Sequence, residues 1–303
     1  MLALFGPTAT GKSALAHALA LELGGEVVVA DPFQRYRGLE VAADAPGREA
    51  LDAVTHHFVG DLDLSADSTA GEFAGRAHGV IDELVRCNRV PIVAGGTGLY
   101  VRAATCDLAM RPPPPLAVRA WAEGLAQDPG LAIARLRSLD PEAAAAVDAR
   151  NPRRLARALE RAWVGEVPAG SGVWAAPHRR PTLLVGVDRP RDVLDRRIAL
   201  RVRRELDDGL RPELEAACRR PDLARGPSQI IGLAEVRAIA DGTLDAAALE
   251  DALCARTRRL ARMQRTWLRR LPVDALFDLG DGPGDEAVAH IAAMWRRSRG
   301  GVG

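Results

Sequence analysis

Lysine is almost missing from this sequence of 303 residues: of its 41 basic residues, 40 are arginine and only Lys12 is lysine. Aromatic residues make up 4%, and no stretch approaches the roughly 18 consecutive apolar residues of a membrane-spanning helix. Cys87, Cys106, Cys218 and Cys254 are scattered, with no CxxC spacing, which excludes a zinc ribbon and a disulfide framework. Four free thiols suit a reducing compartment. The apolar run Leu2 to Phe5 has no basic segment ahead of it, so no leader and a cytoplasmic location are expected. An excess of either charge is missing too: 41 basic residues face 40 acidic ones, so bulk charge names no polyanionic partner. With 48% hydrophobic residues the chain is not intrinsically disordered, and its length suggests two domains.

The arginine excess, together with richness in Ala, Gly and Pro, reads as a codon bias that has turned lysine into arginine wherever a generic positive charge suffices. Lys12 then marks a place that needs a compact ammonium and rejects a planar guanidinium. The near-neutral total also conceals an asymmetry. Residues 1–110 carry a net −6 and residues 111–303 a net +7. The strongest cluster is Arg256, Arg258, Arg259, Arg262, Arg265, Arg269 and Arg270, with no acid among them. On a helix these give a strongly positive face. That face is either solvated and paired with the acidic half of the chain, or a surface for nucleic-acid phosphates.

Short apolar runs at 2–5, 26–30, 90–94, 182–187 and 273–279 predict buried strands. Helical spacing between them, as at 12–23, 70–86 and 191–218, predicts an α/β fold: a P-loop NTPase-like parallel sheet with helices on both faces. The proline run 112–115 is a stiff break, and 116 to about 164 is rich in Ala, Leu and Arg with helical spacing and no strand pattern. Residues 111–177 therefore read as a helical insertion domain between two parts of the core, 1–110 and 178–303, the second with a basic C-terminal helix. Whether the helix at 151–164 belongs to the insertion or to the core is open at this level.

Gly6, Pro7, Thr8, Ala9, Thr10, Gly11, Lys12 and Ser13 match GxxxxGK[ST] between a strand and a helix, the context in which this pattern binds phosphates. Glycines let backbone N–H groups converge on the anion at the positive end of a helix. Lys12 adds a point charge, and Ser13 offers a hydroxyl to Mg2+. A diphosphate or triphosphate is expected here, and the loop is shared with ATP-binding proteins at large. It does not name the reaction. Asp31 stands at the carboxyl end of the neighbouring strand run, where it could bind magnesium, act as a general base or cap a turn with Pro32. His56 and His57 have no third ligand at suitable spacing, which favours a structural role over a metal site.

Taken in order, the segments resemble the tRNA dimethylallyltransferase (tRNA isopentenyltransferase) family. GPTATGKS at 6–13 is similar to that family's GPTASGKS/T loop, and DPFQRYRG at 31–38 to its DSxQxYxG. His56 and His57 with STAGEF at 68–73 resemble HHLID…YSAAEF, and GGTGLY at 95–100 matches the family block. NPRRLARALE at 151–160 resembles NDxxRxxRALE, QIIGLAE at 229–235 resembles QAIGYKE, and TRRLARMQRTWLR at 257–269 resembles TRxxAKRQxTWLR. The chain departs from the pattern at Pro32, at 43–46 (ADAP in place of the end of GTAKP), at Leu233 and Ala234, and at Met263.

The resemblance implies that dimethylallyl diphosphate occupies the loop and that N6 of adenine 37, beside the anticodon of a tRNA, is the acceptor. It gives Asp31 the role of base and places Thr8 near the reacting centre. Lys12, Mg2+ on Ser13 and an arginine clamp of Arg197 and Arg201, one helical turn apart, would stabilise the leaving diphosphate. The adenine would have to leave its stack, with Phe33, Gln34 and Thr97 as candidates to receive it. The family's RNA-contacting stretches fall on Asp31, Pro32, Phe33 and Gln34, on Arg153, Arg154, Leu155, Ala156 and Arg157, and on Gln229, Ile230, Ile231, Gly232, Leu233 and Ala234. The insertion and the Arg256–Arg270 helix would grip the anticodon stem-loop, and a monomer suffices for every role. Three rivals share parts of this signature. A P-loop kinase for a small metabolite leaves the insertion and the basic helix unexplained. An adenylate isopentenyltransferase acting on free AMP or ADP has little use for an RNA-gripping insertion. A non-enzymatic RNA-binding module has no use for Lys12 and Ser13 in an intact loop.

Overall fold

A computed structural model describes residues 1–108, 114–165, 176–282 and 284–300. These form two compact units, Met1–Leu108 with Ala176–Gly303, and Ala109–Ala175. The boundary read at 110/111, the first prolines of the stiff run and residues 166–175 of the Gly- and Pro-rich stretch lie outside the described residues.

The larger unit is built on one six-stranded sheet of order β3-β2-β4-β1-β5-β6, in which every pair is parallel. The strands are β1 (Leu2–Phe5), β2 (Gly25–Val29), β3 (His56–His57), β4 (Val90–Gly95), β5 (Leu183–Asp188) and β6 (Ala275–Asp278). Alternation decides which side chain meets which layer. Leu2, Leu4, Val27, Val29, Ile92, Val185 and Val187 face one way and pack with α1 (Lys12–Leu23) and the C-terminal helix Asp285–Gly300, through Leu15, Leu19, Ile291 and Trp295. Ala3, Phe5, Val28, Val93 and Leu184, the alternate positions of the same strands, are buried as well. A sheet buried on both faces needs continuous apolar strands, which is why the runs stand out in the sequence.

Two elements differ from expectation. β3 is only two residues long, too short for any periodicity to announce it. It places His57 Nε2 2.8 Å from Glu26 Oε2 and His56 Nδ1 2.8 Å from the Val54 carbonyl, so the histidines serve the sheet edge. The run 191–218 is two helices, Arg191–Asp207 and Leu210–Cys218, because Gly209 at φ 95° turns the chain through the left-handed region between them.

In the smaller unit the helices Leu116–Leu125, Pro129–Leu139, Pro141–Ala146 and Pro152–Trp163 share one core of Ala122, Ala126, Ala132, Leu136, Leu155 and Leu159. The helix left open by the sequence therefore belongs here. Asp128, Asp140 and Asn151 each cap a helix whose first residue is proline.

One long helix, Leu249–Leu268, carries most of the basic cluster. Its Trp267 lies against Gly98, the first residue of the helix Gly98–Thr105: a Cβ at that glycine would come within 2.1 Å of the Trp267 ring. The GGTG block thus has a packing cause. Gly98→Ala should destabilise the protein by about 1–3 kcal/mol through overpacking, read as a lower midpoint in thermal or urea unfolding.

Candidate active site

The phosphate loop leaves β1 at Gly6 and enters α1 at Lys12. Gly11 at φ 94° and Ala9 at φ 64° make the reversal, and no side chain caps α1. The first-turn N–H groups are therefore available to an anion. Four side chains from distant segments hold the loop. Gln264 Oε1 accepts from the Thr8 amide at 2.8 Å, and Arg201 Nη1 donates to Thr8 Oγ1 at 2.8 Å. Arg197 Nε donates to the Ala9 carbonyl at 2.8 Å, and Arg189 Nε to the Thr10 carbonyl at 2.7 Å. Thr10 turns its hydroxyl inward to the Pro7 carbonyl, so it shapes the loop instead of facing the ligand.

Beside the loop opens a cavity of about 500 Å3. Thr8, Lys12, Ser13, Asp31 and Arg201 line one part of it, and Phe33, Gln34, Gln229, Ile230 and Ile231 another. Apolar side chains of Val202, Leu210, Leu253, Leu260 and Met263 continue the wall, and the exposed Arg256 and Arg259 belong to it as well. A polar, cationic part next to a hydrocarbon-lined part is the chemistry of this site.

Electrostatics sharpen that description. Burial pushes the Lys12 ammonium below its ordinary pKa; Asp31 pulls it back up, and Arg201 adds to the depression. Arg201 is clasped by two carboxylates, with Nε 2.6 Å from Glu205 Oε1 and Nη1 3.0 Å from Asp44 Oδ2. Burial works against its charge, but Asp44 and Glu205 outweigh it and raise its pKa. Burial raises Glu205 above the usual carboxylate range, with Arg201 opposing. Asp44 also holds Arg204 at 2.8 Å and sits at φ 49°, in the segment that departs from the family pattern. Asp31 Oδ1 accepts from the Phe33 amide at 2.8 Å, so the turn-capping role and a position on the cavity coexist. Gln34 donates to the carbonyls of Ala43 and Asp44, at 3.3 and 3.2 Å, fastening that segment over the cavity wall.

Several sequence candidates fall elsewhere. Arg197 grips the loop but does not line the cavity, and neither do Pro32 and Thr97; Thr97 occupies the N-cap of the helix Gly98–Thr105. Leu155 and Ala156 are buried in the core of the smaller unit, and Leu233 and Gly232 are buried in the larger one, so none of the four can present a side chain to RNA. Arg153, Arg154 and Arg157 are exposed and, with Arg161, line a separate concavity of about 560 Å3 on the smaller unit. Arg189, Glu205, Asp44 and Gln264 were not singled out from the sequence. Arg189 had one signal, a charged residue directly after β5 on the side where ligands of parallel sheets collect.

The basic helix divides. Arg256 pairs with Glu235 at 3.0 Å, Arg258 with Asp195 at 3.5 Å and Arg265 with Asp188 at 2.9 Å. Arg259 and Arg262 are exposed, and their side chains make no hydrogen bond or ion pair among the described residues. No helix among the described residues is long and apolar enough to cross a membrane.

Comparison with known proteins gives a consistent picture. A family model described as IPP transferase matches residues 34–271. A tRNA dimethylallyltransferase of Saccharopolyspora erythraea is 40% identical over 276 residues, spanning 89% of this chain and 88% of that protein. Another, of Salinispora arenicola, is 38% identical over 98% of this chain and 87% of its own. The solved full-length tRNA isopentenylpyrophosphate transferase of Bacillus halodurans has a TM-score of 0.73 at 30% identity, covering 98% of this chain and 95% of that one. A eukaryotic dimethylallyltransferase described as acting on tRNA shares the fold at TM-score 0.77 and 22% identity, covering 98% and 77%.

Arg201 makes three directed contacts at once, which an ammonium cannot reproduce. Arg201→Ala and Arg201→Lys should both weaken binding of inorganic diphosphate by about 10- to 100-fold, measured by titration calorimetry.

Proposed function

Because the chain belongs to the IPP transferase family, we propose that it transfers a dimethylallyl group from dimethylallyl diphosphate to N6 of adenine 37 in tRNA, releasing diphosphate. The observation that carries this reading is the composition of the cavity beside the phosphate loop. Thr8, Lys12, Ser13 and Arg201 supply donors and positive charge for a diphosphate, while Val202, Leu210, Leu253 and Leu260 supply a dry wall for a five-carbon chain. A kinase for a small polar metabolite needs no such wall beside its phosphate loop.

In the reaction the N6–C1 bond forms as the bond from C1 to the diphosphate oxygen breaks, and the electron pair leaves with the diphosphate. An exocyclic amine is a weak nucleophile because its lone pair is delocalised into the ring. Asp31 answers this by accepting the N6 proton as the new bond forms. Its Oδ1 is fixed by the Phe33 amide, which sets the plane of the carboxylate and leaves Oδ2 for the amine. Thr8 accepts from Arg201 and so keeps its own hydrogen to donate to the departing oxygens. Lys12, whose ammonium is destabilised by burial, recovers that cost against an anion that gathers charge.

Magnesium fits this arrangement. Ser13 offers one hard hydroxyl oxygen on the cavity, while Asp31 keeps both of its own for the Phe33 amide and the amine. That is the habit of Mg2+, which takes few protein ligands and completes its shell with phosphate and water. Ser13 would hold it, and the ion would neutralise the leaving diphosphate.

The acceptor is the anticodon stem-loop, with the base turned out of its stack towards Phe33 and Gln34. Arg259 and Arg262 on the larger unit, and Arg153 and Arg154 on the smaller one, are the arginines offered to phosphates, with Arg157 paired to Glu160 at 2.5 Å. A monomer in the cytoplasm is sufficient for this work.

Mass spectrometry of an unmodified anticodon stem-loop, incubated with protein, Mg2+ and dimethylallyl diphosphate, tests the reading. One dimethylallyl adduct on the RNA is expected. It should vanish with chelator and fall by at least about 100-fold in Lys12→Ala and Asp31→Asn. Wild-type rates in either variant, an adduct on AMP in place of RNA, or consumption of ATP with no adduct would overturn it.

A further inference from the structure

We infer that Gln264 is a positioning residue for the phosphate loop: it fixes the Thr8 main chain so that the Thr8 hydroxyl meets the diphosphate. The backbone amides of such a loop are ordinarily turned on the anion. Here the Thr8 amide is spent on Gln264 Oε1, 2.8 Å away, in a buried contact between residues 256 apart in sequence. Thr8 and Gln264 are each 7% exposed, so water does not compete for the bond, and losing one partner would leave the other unsatisfied.

The surroundings are built for this contact. A Cβ on Gly96 would stand 2.4 Å from Gln264 Nε2, so a glycine there makes the space that the amide fills. The helix that presents Gln264 is fixed just after it, by Arg265 paired to Asp188 at 2.9 Å and by Trp267 against Gly98. Thr8 is thereby pinned twice. Gln264 takes its N–H, and Arg201 donates to its hydroxyl oxygen, which leaves the hydroxyl hydrogen as the donor that Thr8 itself can still offer. Gln264 acts through Thr8, and its value should disappear when the Thr8 hydroxyl does.

That dependence separates positioning from a purely architectural role. The donor arm of the experiment rests on the proposed transfer reaction, while a diphosphate arm stands apart from it. Thr8→Ala, Gln264→Leu and the double variant would be compared for affinity towards inorganic diphosphate with Mg2+, by calorimetry, and for single-turnover transfer to the stem-loop RNA. Each single change should weaken both readouts by about 5- to 10-fold. The double variant should be no worse than Thr8→Ala alone. Gly96→Ala displaces the Gln264 amide without altering it and should match Gln264→Leu; if the leucine variant does not fold, Gly96→Ala with Thr8→Ala carries the same cycle. Effects that multiply in the double variant would overturn the inference. So would a Gln264→Leu protein that melts earlier yet keeps its diphosphate affinity. A wild-type protein that binds diphosphate, shows the coupling and transfers nothing would refute the transfer reading and leave Gln264 in its role.

Discussion

The structure depends on how eight residues at the end of β1 are held open for an anion. A loop rich in glycine and small residues has few side chains of its own with which to define its shape, and Thr10 on the Pro7 carbonyl is the one internal brace. The solution is external. Gln264, Arg201, Arg197 and Arg189 reach the loop across separations of 256, 193, 188 and 179 residues. Three of the four are arginines on or just before the first helix after β5, so one strand–helix connection sets most of the loop's geometry. The parallel sheet makes this possible because β5 pairs directly with β1 and delivers its connection to the same end of the sheet.

Charge follows from that arrangement. Concentrating arginine around one loop carries a repulsive cost, and the acids of the N-terminal half are part of the answer. Asp44 holds Arg201 and Arg204, and Asp31 stands near Lys12. The net −6 and +7 of the two parts of the sequence are thus partly consumed inside the molecule. The basic run is not paired with the acidic half as the sequence suggested, for its partners Glu235, Asp195 and Asp188 all lie in the basic part of the chain. Arg256, Arg258 and Arg265 are ion-paired, whereas Arg259 and Arg262 stand clear.

What could be read from the sequence was local. The phosphate loop, the buried strands and the helical middle segment announce themselves through glycine spacing and apolar periodicity, because those signals are imposed by backbone geometry over a few residues. Asp31 at a strand end was visible for the same reason. The rest was set by distance in sequence. Nothing near Gln264 says that its carbonyl lies on the Thr8 amide, and nothing near Gly96 says that its missing side chain is the reason. Matching blocks to a family pattern also carried over residues whose places are architectural. Leu155, Ala156 and Leu233 lie inside stretches that resemble RNA-contacting ones, yet helical periodicity turns them into cores. His56 and His57, read as structural for want of a third ligand, do lie at the edge of the sheet.

The single lysine gains its meaning from this environment. Arg197 and Arg201 already converge on the loop, and the Nη2 atoms of Arg189 and Arg197 lie 3.6 and 3.7 Å from where a Gly11 side chain would begin. A planar guanidinium at position 12 would compete with them for the same space and the same acceptors, whereas an ammonium on a flexible stem places one charge beside the anion without demanding a plane. Its charge also responds more to its surroundings. Burial and Arg201 depress the Lys12 pKa, while Asp31 and Asp44 oppose them, and any further anion would act in the same sense as the two carboxylates. An arginine would hold its proton whether or not the ligand had come. In a sequence whose other 40 basic residues are all arginine, a lysine here fits a place with room for one compact charge among guanidinium groups.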